Sequence, residues 1–399
     1  MTPAAAARRP AVIPVVLGLA MGPAVALGLA RFAYALLLPA MRANLHWSLA
    51  TAGAINTANA VGYLAGALIA VPLARRFGAR QAFLAGLIVA AVSLLGTAAS
   101  GDTAVLASLR LLAGASAGVS FVTGAGLVAE LGSGQSSRRA TWLLGGYFAG
   151  TGAGIVVSGL AIPPLLASTT AASGWRWGWV LLAGLSVVAL VASIPAVLAC
   201  REPPAPPAAS RHWPTRRLVA VMVSYALFGV GYIAYMTFII AFLTGHGARP
   251  GEISSFWVVL GAATIVGGFA WPPLIAKLRG GRGLGIVLGV VALGALLPLV
   301  SDSAVAAMTS AVLFGASFLA VVTAATAVAR RSLAQHHWTP AIGTLTVAFA
   351  IGQSLGPVLA GVLSDGAAGL RLGLTVSVGA LAVGAIVALA QRHIEPAAS

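Results

Sequence analysis

Two arginines, Arg31 and Arg110, stand inside long apolar stretches of the chain. A guanidinium keeps its proton and presents a planar fork of N–H donors, which suits a carboxylate or a phosphate. At the centre of a bilayer such a group costs about 2.5–3.5 kcal/mol on insertion scales, so it normally faces a partner or a wet cavity. No Asp or Glu lies mid-stretch to neutralise either one. The nearest, Glu130, is twenty residues beyond Arg110, about 30 Å along a helix. The pattern predicts that Arg31, with Arg110 beside it at similar depth, binds an anionic group of a small-molecule substrate. A competing reading has Arg110 snorkelling to an interface or tying two helices together, and Arg31 bonded to backbone carbonyls.

Six more polar side chains on predicted inward faces complete the candidate pocket: Tyr34, Asn56, Asn59, Tyr232, Tyr235 and Gln353. Tyr34 follows Arg31 by one turn, and Asn56 and Asn59 share a face at i,i+3. Such amides and phenols also knit helices together. Proton relays in membranes usually use embedded Asp, Glu or His. All six histidines fall in predicted loops or tails, so protons or a counter-transported ion would couple through an arginine, through Glu130 or an outer acid, or through the substrate itself.

Enzymatic chemistry finds no support. Gly114-Ala115-Ser116-Ala117-Gly118 spells a nucleophile elbow, but that motif works only on a strand–turn–helix with a histidine and an acid nearby. Gly150-x-Gly152-x-Gly154 lacks the strand and spacing of a dinucleotide site, and neither a His-Glu-x-x-His nor a Gly-Lys-Ser/Thr motif occurs. No cofactor or metal is expected, and the single cysteine, Cys200, excludes an internal disulfide.

The elements that must position these residues follow from composition. Of 399 residues 59% are hydrophobic and 8% charged, against about 25% charged in a soluble domain. The net charge of +16 is dispersed between apolar runs rather than gathered on a nucleic-acid-binding face. A bilayer needs roughly 20 apolar residues per helix. Runs near 14–38, 50–73, 82–99, 104–129, 140–166 and 177–199 meet that need, as do 217–243, 253–276, 284–300, 304–329, 341–363 and 371–390. The expectation is an all-α membrane protein with twelve transmembrane helices. Arg8 and Arg9 before the first run imitate a signal peptide, but the run is too long for one. With the amino terminus inside, 17 of the 23 basic residues fall on the cytoplasmic side and four outside, which places both termini in the cytoplasm. Lysine occurs once, at Lys277, a bias of GC-rich bacterial genomes; the expected location is a bacterial inner membrane.

Residues 201–217 are basic and rich in proline, a semi-rigid tether. They divide the chain into predicted six-helix bundles at 1–200 and 218–399, expected to be pseudo-symmetric. Sliding one half on the other by about 201 residues pairs Gly28, Ala33 and Tyr34 with Gly229, Ala234 and Tyr235. It pairs Gly66, Pro72 and Arg76 with Gly267, Pro273 and Lys277, and Gly114 with Gly315. With one residue of slip, Gly150 and Gly154 fall on Gly352 and Gly356. These small-xxx-small pairs permit close helix approach, and Pro357 breaks its helix's hydrogen-bond ladder. They are the expected gating elements. Duplicated halves with a site between them suit alternating access by rocking.

These features resemble the major facilitator superfamily over essentially the whole chain. That family's loop signature between spans 2 and 3 is Gly, three residues, Asp, Arg, any, Gly, Arg, Arg; here Arg76, Gly78 and Arg80 match, while Val71 and Arg75 replace its glycine and aspartate. The resemblance adds Arg76, Gly78 and Arg80 to the gating residues, without the acid of the family's charge relay. Arg110, Gly114 and Gly118 are similar to its span 4 arginine motif. The stretch Gly28-Leu29-Ala30-Arg31-Phe32-Ala33-Tyr34, continuing to Pro39, resembles the YbfB/YjiJ-type branch. The implied function is a secondary active transporter, monomeric and in contact with lipid, moving a small organic solute with an anionic group. The alternatives are a proton-driven exporter of drugs or lipophilic compounds, and a receptor or scaffold of the same fold.

Overall fold

Lipid offers a backbone no water, so each crossing segment must bond its own amides as a helix. In the computed structural model, which describes residues 12–169, 172–203, 213–367 and 369–392, the apolar runs do this twelve times. The first six spans are α1 (Val12–Leu45), α2 (Leu49–Phe77), α3 (Ala79–Ala99), α4 (Thr103–Leu131), α5 (Arg138–Ser168) and α6 (Trp175–Ala199). The second six are α7 (Thr215–Gly245), α8 (Pro250–Lys277), α9 (Arg282–Val300), α10 (Ala304–Ser332), α11 (Gln335–Ser364) and α12 (Gly369–Leu389). Among the described residues there is no strand. The elbow-like Gly114–Gly118 stretch lies inside α4, with Ser116 bonded to the Ala113 carbonyl of its own helix. The helices overrun their predicted ends. α1 continues through Pro39 to Leu45, where His46 closes it at φ 53 with its N–H on the Arg42 carbonyl. Residues 8, 9 and 204–212, including Pro204, Pro206 and Pro207, fall outside the described residues.

The two sets of six pack alike. α2 lies on α4 as α8 lies on α10, α3 on α6 as α9 on α12, and α1 on α5 and α6 as α7 on α11 and α12. At the first of these contacts the repeat is exact in register. A Cβ on Gly66 would strike the Ala115 carbonyl, and one on Gly267 the Ala316 carbonyl, 201 residues on. Likewise Gly114 lies on Asn59, and Gly315 on Leu260.

At the crossing of α1 with α5 the register breaks. Gly150 and Gly154 press on the carbonyls of Ala20 and Ala24, while Gly352 and Gly356 press on those of Ala226 and Val230. The glycines are 202 residues apart and their partners 206, a difference of four residues, or about one turn. The part of α1 at this crossing, Ala24–Phe32, is a π-helix, whereas the corresponding part of α7 is α-helical. Gly28, within the π segment, meets Gly154 backbone to backbone.

Four pairs chiefly join the halves among the described residues: α5 with α8, α2 with α11, α2 with α7, and α1 with α7. The last forms through the Tyr34–Leu45 part of α1. The α2–α11 seam runs from Leu49 on Gly361 through Gly53 on Pro357 to Thr57, whose hydroxyl donates to the Ser354 carbonyl at 2.7 Å. The α2–α11 contacts lie toward the arginine-poor end, whereas α5 and α8 also meet near the arginine-rich end, where Trp142 stacks on Phe269 at 5.0 Å. At the arginine-poor end α2 and α11 are zipped together, whereas at the arginine-rich end α4 and α10 show no comparable packing across the seam among the described residues.

The crossing of α1 and α5 therefore tolerates no side chain at Gly154. Gly154→Val is expected to lose about 1–3 kcal/mol through overpacking, while Gly126→Val, whose Cβ would meet nothing within 4 Å, changes little. Thermal unfolding of the two purified variants against the parent checks the contrast; equal midpoints would contradict it.

Candidate functional site

The π segment of α1 carries Arg31 to the seam between the halves. Its side chain is only 3% exposed. Nη2 donates to Oε1 of Gln353 on α11 at 2.7 Å, and Tyr232 on α7 donates to the same oxygen at 3.3 Å. The guanidinium carbon stands 5.3 Å from the ring centre of Tyr63 on α2, a cation–π distance. Arg31 Nε and Gln353 Nε2 find no acceptor among the described residues. Arg31, Tyr232 and Gln353 are thus brought together from three helices and both halves. A buried donor without an acceptor costs about 1–3 kcal/mol, so this cluster is short of negative charge and of lone pairs.

Arg110 is held differently. It is fully buried, and its Nη1 donates at 2.5 Å to the carbonyl of Ala30, inside the π segment. Its guanidinium lies between two rings, 5.2 Å from Tyr34 and 5.1 Å from Trp179. Asn59 on α2 donates to Arg110's own carbonyl at 3.0 Å. These contacts join α1, α2, α4 and α6 within one half. Arg110 therefore stands directly behind Arg31, binding the backbone that presents it.

The other predicted pocket residues divide in the same way. Tyr34 does not share the face of Arg31. The π segment gives way to α geometry around Ala33, and this shift of phase turns Tyr34 back onto the Ala52 carbonyl at 2.9 Å and against Trp179. Tyr235 bonds Ser310 at 2.6 Å within the second half. Asn56 does reach the seam, donating at 2.6 Å to Thr237 on α7, with its Oδ1 unpartnered among the described residues.

Aromatic side chains missed in the sequence flank the cluster. Tyr63, Phe121 and Phe148 line the first half, and Tyr225, Phe228 and Phe349 the second. Spacing held the signal: Tyr63 follows Asn56 by seven residues and Asn59 by four, and Tyr225, Phe228 and Tyr232 stand at i, i+3 and i+7.

Two carboxylates at the ends of the bundle were also missed. Asp365, just past α11, accepts the first N–H groups of α2, from Leu49 at 2.6 Å and Ala50 at 2.9 Å. It caps a helix of the opposite half, where the dipole favours an anion. Partial burial pushes its carboxyl up, but the N–H groups of Ala50 and Leu49, the Ser48 hydroxyl and the Arg42 charge together hold it below the ordinary value of 3.8. Glu202, past α6, caps α3 through Ala79 N–H at 2.7 Å and pairs with Arg80 Nε at 3.0 Å. Gly78 sits at φ 91 directly before that cap, a conformation suited to glycine, and Arg76 lies over Phe77. So where Arg75 stands in place of an acid, the carboxylate at this end comes from Glu202. Burial first, then the Glu202 charge, pushes the neighbouring Cys200 thiol up to about 11, against the pull of Arg80. Among the described residues no cluster of His, Cys, Asp and Glu could hold a metal.

Comparison with known proteins fits this geometry. Residues 23–389 match the family described as "Uncharacterised MFS-type transporter YbfB". A comparison with curated proteins finds no match. Among solved structures, a variant of the nucleoside transporter NupG is similar at TM-score 0.71 and 14% identity, covering 94% of this chain and 98% of its own. A bacterial homologue of the human lysosomal transporter Spinster, solved inward-facing and unoccupied, is similar at TM-score 0.72 and 15% identity, with coverages of 94% and 96%. At these identities the likeness is one of fold.

The Asp365 cap makes a claim about pH. A carboxyl held below its free value stabilises the closed end fully above the free value, and loses that contribution only as pH falls through the lower one. Closure through Asp365 is therefore expected to be constant from pH 5 to 8 and weakened at every pH in Asp365→Ala. Spin labels on Ala43→Cys and Gly366→Cys, with Cys200 replaced by Ser, would show a longer distance population in Asp365→Ala only. A pH-dependent opening of the parent over that range that Asp365→Ala abolishes would contradict it.

Proposed function

The chain belongs to the YbfB-type family of major facilitator superfamily transporters, and from that premise we propose that it is a secondary transporter carrying a small organic solute with an anionic group. The observation that supports the anion is Arg31: a buried guanidinium at the seam, bonded to one neutral amide oxygen and to no carboxylate among the described residues. A carboxylate or phosphate would satisfy its free Nε together with Gln353 Nε2. The absence of any mid-span Asp or Glu in the sequence weighs against a cationic cargo.

Alternating access has a physical basis in the seam. The contacts across it at the arginine-poor end include Asp365 on α2, Gly53 on Pro357, Asn56 on Thr237, Arg31 on Gln353, and Ser254 and Trp257 of α8 on Gly159 and Ser158 of α5. With the arginine-rich end in the cytoplasm, this arrangement is closed outside, and rocking would part these contacts in sequence. Within the site, Arg31, Gln353 and Tyr232 are assigned to the substrate, Asn56 to the seam beside it, and Arg110 with Asn59 and Tyr34 to holding the π segment. Gly150, Gly154, Gly352 and Gly356 are assigned to the crossings about which the halves bend, with Pro357 on the seam.

The test is flux into proteoliposomes across a panel of organic anions, with insertion verified. Arg31→Ala is expected to lower transport at least about thirtyfold, as removal of one partner of a buried charge-assisted bond costs about 2–5 kcal/mol, and Arg31→Lys to recover part of it. Undiminished transport by both variants would remove Arg31 from the site.

A further inference from the structure

The proposed anion site lies between two aromatic walls. On the second half, Phe349 of α11 stacks on Tyr225 at 4.9 Å and on Phe228 and Tyr232 at 5.6 Å, with every plane within 20°. Phe228 and Tyr232 stack on each other at 4.7 Å, also at 20°. The rings share one orientation and form a flat face running along α7 from Tyr225 to the Arg31–Gln353 bond. On the first half, Tyr63 meets Phe121 at 6.1 Å, and Phe121 stacks on Phe148 at 5.4 Å and 28°. The Arg31 guanidinium, 5.3 Å from the Tyr63 ring centre, bonds the same Gln353 oxygen as Tyr232, so the first wall approaches the second across the seam at this side chain. Tyr63, Phe121, Phe148 and Phe349 all keep partial exposure there, in contrast to Phe228 and Tyr232 behind them.

Tyr232 and Arg31 meet at one point, the oxygen of Gln353. That places a donor-rich, acceptor-poor head with aromatic side chains of both halves beside it. Ring faces prefer offset or edge contacts with other rings, and such pairs contribute about 0.5–1.5 kcal/mol beyond the area they bury. An aliphatic chain gains only the area.

Resting on the transport reading above, we infer that the solute is a planar aromatic or heteroaromatic acid, its ring between Tyr63 and Phe349 and its carboxylate on Arg31 and Gln353. Nε of Arg31 and Nε2 of Gln353 would donate to the two carboxylate oxygens, and no proton or covalent change is involved.

The test compares benzoate, cyclohexanecarboxylate and benzamide for binding to the purified chain in nanodiscs by titration calorimetry. The two acids match in charge and nearly in size, and the amide keeps the ring without the charge. Benzoate is expected to bind about fivefold or more tightly than the saturated acid, the equivalent of one ring pair, and more tightly than benzamide. Phe349→Leu should erase the preference for the ring, Phe349→Tyr should keep it, and Arg31→Lys should weaken both acids. Equal binding of the two acids by the parent protein overturns the aromatic inference and leaves the anion reading intact. Benzamide binding as tightly as benzoate overturns the anion reading. If none of the three binds, both fall.

Discussion

A charge inside a lipid-embedded bundle has to be satisfied by the protein, because neither acyl chains nor bulk water can reach it. This chain faces that demand twice, at Arg31 and Arg110, and answers it in two ways. Arg110 is given a backbone carbonyl and two ring faces, all within one half. Arg31 is given one amide oxygen and one ring face, from elements on both sides of the seam. The first arrangement lies within one half, although Arg110 Nε and Nη2 also find no acceptor among the described residues. The second draws its partners from both halves, so it depends on how the halves lie. Identical side chains thus differ in whether their partners come from one half or from both.

The π segment connects the two. Its Ala30 carbonyl is the one that Arg110 binds, its Gly28 meets Gly154, and its penultimate residue is Arg31. It also lies at the crossing where the duplicated halves are out of register by about one helical turn, already at Ala20 before the segment and again at Ala24, although the α2–α4 and α8–α10 crossings keep register to the residue. Widened turns of this kind are rare and occur often at functional sites. Here the departure from symmetry falls on the helix carrying the charge, and the equivalent position in α7 holds Tyr232, which shares the same amide oxygen. The repeat has diverged at the point where the two halves meet over one polar group.

Much of this was legible in the chain itself. Twelve apolar runs need no context to be read, because a bilayer sets their length. The glycine pairs at 150, 154, 352 and 356 carried their packing role in their spacing, and Arg31 was conspicuous as a charge in apolar surroundings. The misreadings share a cause. Tyr34 was placed by α-helical phase, which the π segment breaks. Arg110 and Arg31 look alike in sequence, since the distinction lies in contacts made with Ala30, Trp179 and Gln353 far along the chain. Asp365 and Glu202 sit in short connections that resemble solvated loops, yet each caps a helix more than a hundred residues away. The aromatic walls were hidden by their commonness, for a phenylalanine in a membrane helix is unremarkable until its neighbours across a seam are known.

The contacts that close the arginine-poor end do not weigh equally in an exchange of conformations. Gly53 on Pro357 and Gly361 on Leu49 are close-packed small residues that part without exposing charge. Asp365 leaves α2 for water, where its carboxylate and the freed N–H groups are both readily solvated. Arg31 and Gln353 are deeper, and separating them strands a guanidinium and an amide where water is scarce. On the proposed reading a bound anion removes that penalty, since it satisfies Arg31 whether or not Gln353 remains within reach. A ligand shifts a conformational equilibrium only by its differential affinity for the two states. The Arg31–Gln353 bond supplies such a difference, because it is the one polar contact of the seam that the substrate itself would replace.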